Sequence, residues 1–175
     1  MKNAAFTILF LALSFAAARG QAPTWADYTS KDQQFTVTFP GGPTVTKSFV
    51  DERQGNKYTF VVGDDRQAYI VMVCDGPAYA GPFTDADLKG RYDAARKATI
   101  DNMPGSRLIG ETDLKTGGIQ TREFIGESDQ WFYRGRYILT RGRIYGIMAL
   151  VGKSLEKDVA TKTAMAKFLD SFHFN

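Results

Sequence analysis

WFYRGRYILTRGRIYGIMALV, residues 131–151, is the stretch from which the rest of the chain can be placed. Two runs rich in Tyr, Ile, Leu and Phe flank Arg141-Gly142, and such residues suit a pleated, half-buried surface. Gly142 accepts a positive φ, so the pair can serve as a two-residue hairpin loop. The resulting register sets Thr140 against Arg143, Leu139 against Ile144 and Tyr137 against Gly146. Side chains alternate between faces along a strand. One face therefore carries Tyr133, Tyr137, Leu139, Ile144, Met148 and Leu150, and is a core face. The other carries Arg134, Arg136, Ile138, Tyr145 and Ile147, apolar area with two arginines side by side.

Outward from this hairpin, period-2 runs predict strands at 35–39, 44–50, 57–63 and 67–74, then at 107–114, 119–126, 130–140 and 143–151. Pro40-Gly41-Gly42-Pro43, Gly55-Asn56, Asp64-Asp65-Arg66 and Gly117-Gly118 punctuate them as turns. Between the two groups, Leu88, Tyr92, Ala95 and Thr99 recur at helical spacing behind the cap sequence Thr84-Asp85-Ala86-Asp87. This helix runs to about Asn102, before Pro104-Gly105. A second helix is expected from about Leu155 to Asp170, capped by Ser154, with Leu155, Val159, Met165, Ala166, Phe168, Leu169 and Phe172 apolar. Residues 23–32 read as a lead-in pinned by Trp25 and Tyr28, and 172–174 as an extended tail. The order ββββ-α-ββββ-α predicts an α+β domain, an antiparallel sheet flanked by helices, rather than parallel βαβ units. Helices on the sheet would account for apolar residues on both faces of the 131–151 hairpin.

The N-terminus has the form of an export signal. Lys2 is followed by the short apolar run Phe6 to Phe15 and by Ala16-Ala17-Ala18-Arg19-Gly20. Cleavage after Ala18 or after Gly20 satisfies the small-residue rule, and Gly20 is favoured, leaving one domain at 21–175, with no lipobox cysteine at the cut and no later segment able to span a bilayer. The expected location is the periplasm or the exterior. Of 22 basic residues the signal holds Lys2 and Arg19, so 20 remain against 19 acids, a net +1. That balance gives no reason to expect nucleic acid as a partner. Cys74 is the single cysteine, ends an apolar run and is read as a small buried hydrophobe.

The pattern Trp25-x-x-Tyr28-x-Ser30, then Phe35-x-Val37-x-Phe39-Pro40-x-x-Pro43, resembles the opening of exported bacterial proteins of the PsbP-like fold family. Arg136-Tyr137-Ile138-Leu139 with Arg143-Ile144-Tyr145 resembles the family's late hairpin, and Phe168-Leu169-Asp170-Ser171-Phe172 its C-terminal helix end. The resemblance implies an antiparallel sheet sandwiched by helices. It implies no activity, because one fold hosts many functions, and no catalytic motif transfers with it.

The chemistry of the chain points the same way. His173 is the single histidine, set between aromatics, which leaves little for a Ser-His-Asp or Cys-His arrangement or a zinc site. Asp64-Asp65 and Asp85/Asp87 are accounted for by turns and helix capping. Neither GxxxxGK[ST] nor GxGxxG occurs, and no cofactor is expected. Arg134, Arg136, Arg141, Arg143 and Tyr145 form the candidate partner or anion surface, since arginine beside aromatics recognises carboxylate, phosphate or a protein face. The opposing reading pairs these arginines with acids on a covering helix or lays them along apolar surface. The expectation is a non-enzymatic binding or assembly protein of the bacterial envelope, with another envelope protein as partner. The alternative is a small-ligand binder or hydrolase with an unfamiliar site.

Overall fold

The computed structural model describes residues 24–175; the expected signal segment lies outside the described residues. Ten strands and two helices follow in order among them: β1 (Ala26–Ser30), β2 (Phe35–Phe39), β3 (Thr44–Asp51), β4 (Gly55–Gly63), β5 (Gln67–Cys74), α1 (Asp85–Asp101), β6 (Arg107–Thr116), β7 (Ile119–Glu127), β8 (Trp131–Thr140), β9 (Arg143–Gly152), α2 (Val159–Ser171) and β10 (His173–Phe174). The expected ββββ-α-ββββ-α order is thus incomplete. The lead-in contributes β1 and the tail contributes β10, and both pair antiparallel with β2 in a separate three-stranded sheet. The other strands form one antiparallel sheet ordered β3-β4-β5-β9-β8-β7-β6.

The 131–151 hairpin is its centre. Thr140 faces Arg143, Leu139 faces Ile144 and Tyr137 faces Gly146, and Gly142 has φ +91° as the two-residue loop requires. Both hairpin faces are buried, against different layers. Tyr133, Tyr137, Leu139, Ile144, Met148 and Leu150 pack with Tyr92 and Ala95 of α1. Ile138, Tyr145 and Ile147 pack with Phe35, Val37 and Phe39 of β2 and with Met165, Phe168 and Leu169 of α2. The arginine-bearing face is therefore covered by the small sheet and α2 together.

Local chemistry sets the helix ends. Thr84 and Asp87 form a reciprocal capping box at the start of α1. α2 begins later than expected. Lys153–Leu155 forms a single 3-10 turn, and Asp158, not Ser154, is the cap, accepting from Thr161 N at 2.6 Å. A carboxylate at this cap also suits the positive end of the helix dipole. Val159, expected in the apolar stripe, is instead 77% exposed at the first turn.

Tyr92 ties α1 to the sheet. The β7–β8 pairing ends at Thr121 and Ile138. Just beyond, the buried Tyr92 hydroxyl accepts from Leu139 N at 3.1 Å and donates to Gln120 O at 2.7 Å. It stands in for a missing rung of the ladder. Tyr92→Phe leaves two backbone groups without that partner and is expected to cost about 1–3 kcal/mol. Urea unfolding of the two proteins measures it, and a change within experimental error would remove this role from the hydroxyl.

Candidate interaction surface

The structure divides the five residues singled out on the hairpin. Arg134 and Arg136 are brought together on Glu123 of β7, which the register places directly opposite Arg136. Arg134 Nη2 lies 2.7 Å from Glu123 Oε1, and Arg136 Nε lies 2.7 Å from Oε2. Arg136 also donates through Nη2 to Asp170 Oδ1 at 2.6 Å and through Nη1 to the Leu169 carbonyl at 2.7 Å. Its guanidinium thus joins β7, β8 and the last turn of α2, where backbone carbonyls lack helical partners. Arg136 and Glu123 are buried, 8% and 5% exposed.

Tyr145 is 1% exposed, and its hydroxyl donates to the Gln33 carbonyl at 2.9 Å. Arg143 grips the β1–β2 turn, reaching Gln34 Oε1 and the Asp32 carbonyl, each at 3.0 Å. Gln34 has φ +58°, a left-handed conformation for a residue with a side chain, and Arg143 is one of the groups that hold it. Arg141 stands exposed at the hairpin turn.

The remaining chemistry-bearing residues also have structural partners. Cys74 is 1% exposed, and burial pushes its thiol up to about 12, so it carries no thiolate near neutral pH. His173 is exposed, with Nδ1 2.9 Å from the Ser171 carbonyl. Asp64 accepts from the backbone of Arg66 and Gln67 in its turn. A cleft of about 290 Å3 lies between Gly105, Arg107, Glu127, Ser128, Asp129 and Lys153. Arg107 and Lys153 both pair with Glu127 there, which holds the Glu127 carboxyl below its usual range, Lys153 contributing most. Its two cations are thus already paired, both with Glu127 and Lys153 with Glu156 as well, at 2.8 Å.

The two edges of the large sheet differ. At the β6 edge, charged side chains turn towards α1. Glu111 pairs with Arg96 and Asp113 with Arg122, and Arg122 also reaches Asp93 of α1 at 3.4 Å. Both edges carry a register irregularity, between Leu108 and Gly110 on β6 and between Phe49 and Asp51 on β3. Such bulges twist an edge and limit pairing beyond it.

β6 keeps Leu108 and Ile109 exposed, by 38% and 51%, but among the described residues β3 lacks even the ion pairs to a helix. Every residue from Thr44 to Val50 is exposed, Phe49 by 66%, Val45 by 48% and Val50 by 37%. The pairing with β4 places Val45, Lys47 and Phe49 on the face that bears Phe60 and Tyr58, and Thr44, Thr46 and Ser48 on the other. Lys47 Nζ sits 5.2 Å from the centre of the Tyr58 ring. At the end of the strand Asp51 accepts from the backbone of Arg53 and Gln54 and fixes the turn. β3 is therefore a strand paired on one side only, with large apolar side chains in solvent. Alternation made it legible as a strand, and nothing in the sequence reading marked it as functional. The available signal was Lys47 between Val45 and Phe49, a charge on what would otherwise be an inward-facing stripe.

No family model matches the chain, and no curated protein matches it. Solved structures do. The solution structure of the cyanobacterial PsbP protein (CyanoP) from Synechocystis sp. PCC 6803 is similar with a TM-score of 0.59 at 12% identity, over 93% of this chain and 99% of that one. The crystal structure of the Saccharomyces cerevisiae Ran-binding protein Mog1p is similar with a TM-score of 0.50 at 11% identity, over 87% and 96%.

Proposed function

We propose that this chain, whose fold is PsbP-like, is an exported, non-enzymatic binding or assembly protein of the bacterial cell envelope that takes a protein partner along the open β3 edge. The observation that carries the reading is β3 itself: seven consecutive exposed residues on a sheet edge, with Phe49 66% and Val45 48% exposed. Proteins ordinarily blunt such edges, and an unpaired row of backbone donors and acceptors beside apolar side chains is what strand-adding recognition uses. Export rests on Lys2, the apolar run Phe6 to Phe15 and the small residues up to Gly20. The fold accommodates partner binding elsewhere, as the name of the Ran-binding protein Mog1p records. Of the hairpin arginines, Arg141 is the exposed one and the member of that group left for an anionic contact.

The test is capture from envelope extract with three baits: the wild type, Phe49→Asp and Val159→Asp. Val159 is the more exposed of the two residues and lies on α2, so it controls for loss of any surface apolar group. The wild type and Val159→Asp are expected to retain the same partner and Phe49→Asp to lose it, with thermal midpoints alike because both sites are solvent-facing. Retention by Phe49→Asp would end the assignment of this edge.

A further inference from the structure

The side chains on β3 specify more than an edge, and, resting on the edge reading above, we infer that the partner supplies an extended segment of the pattern apolar-x-acidic-x-apolar. A strand added to β3 places its alternate residues against Val45, Lys47 and Phe49 on one face. Val45 and Phe49 are the apolar ends of that row, and Lys47 is its middle. Lys47 pairs with no carboxylate among the described residues; its ammonium leans over the Tyr58 ring of β4, and the exposed, flexible side chain can turn from there to an acid on an added strand. An acid opposite Lys47 completes an ion pair flanked by apolar contacts, and cross-strand pairs of opposite charge are favourable where like charges are not. The two intervening partner residues meet Thr46 and Ser48, so they are polar and capable of β structure. The pattern reads alike in both directions, so it serves a parallel or an antiparallel addition.

The same row disfavours a second copy of this chain. The symmetric antiparallel pairing that sets Val45 against Phe49 also sets Lys47 against Lys47, a like-charge contact at the centre of the interface. Lysine on an edge is a recurrent guard against self-pairing. Here it admits an acidic strand while opposing its own.

The experiment uses fluorescent peptides with the core Val-Thr-Glu-Thr-Val and its Gln- and Lys-centred counterparts, titrated with the wild-type protein and with Lys47→Glu. Binding by the Glu-centred peptide is expected to be about fivefold tighter than by the Lys-centred one, with Gln between, and Lys47→Glu is expected to reverse the order. Hydrogen exchange should slow at the amides of residues 44–50 on binding. Equal affinities across the three peptides, absence of binding, or an order that Lys47→Glu leaves unchanged overturns the inference. So does concentration-dependent dimerisation of the wild type that Phe49→Asp abolishes in place of peptide binding. Lys47 is exposed, so unchanged unfolding of Lys47→Glu confirms that charge is being read and not folding. Should the peptides fail while Phe49→Asp still loses the captured envelope partner, the edge remains a docking site and the acidic specification alone is lost.

Discussion

Arg136→Ala is expected to cost about 3–5 kcal/mol of stability, because it strips a buried carboxylate of one of its two cations and breaks a buried network. Glu123 is 5% exposed and uses one oxygen for Arg134 and the other for Arg136. Arg134, 31% exposed in its side chain, contacts Oε1 through both Nε and Nη2, so the loss of Arg136 leaves Oε2 without its cation. The loss extends further, since Arg136 also holds the Leu169 carbonyl and Asp170 at the end of α2. Arg136→Lys is expected to restore little, because a single ammonium cannot serve three acceptors in the plane of a guanidinium. The paired change Arg136→Met with Glu123→Leu should be less damaging than Arg136→Ala alone, because it removes both charges and keeps the volume. Thermal unfolding should show Arg136→Ala lowered by roughly 10 °C. A midpoint within a degree or two of wild type would mean that the network contributes nothing net.

Phe35→Ala is the second large effect, at about 3–5 kcal/mol. Phe35 is wholly buried and meets Phe60 edge-on at 5.1 Å, Phe172 in a stack at 5.5 Å and Tyr145 at 6.4 Å. One ring thus fastens β2 to β4, to β9 and to the end of α2. Its truncation leaves a cavity between the sheets that these aromatic neighbours cannot readily collapse to fill. The expected signature is local as well as global: amides of β1, β2 and β10 should exchange faster than those of the β8–β9 hairpin. Uniform acceleration across both sheets would show instead that the layers unfold as one unit.

The particular elements explain what a sequence alone could disclose. The register of the 131–151 hairpin was legible because a two-residue loop and strict alternation leave one pairing. The fold type was legible for a related reason: aromatic positions in β2, β8 and β9 and at the end of α2 resemble those of PsbP-like proteins, and the solved CyanoP structure is similar over 93% of the chain. β1 was not legible, because its five residues are mostly exposed and become a strand by pairing with β2. β10 is two residues long, too short for any period to register. The arginine face was assigned to the correct side of the sheet. What covers it depends on β2 and α2, distant in sequence, and Glu123 enters through the β7–β8 register. β3 illustrates the same limit from the opposite direction. Its alternation is like that of a central strand, and whether a strand ends up central or at an edge is decided by topology.

The small sheet also sets an order in time. β10 completes it from the far end of the chain, with Thr36 donating to Asn175 Oδ1 at 2.8 Å across 139 residues of sequence. Its contacts are therefore among the most non-local in the molecule, the kind that form slowly. A chain synthesised from its N-terminus carries Phe35, Val37 and Phe39 long before Phe168, Leu169 and Phe172 exist to cover them. Until then this strand is an aggregation-prone apolar segment. A protein built this way reaches its finished state only after the last helix has left the ribosome.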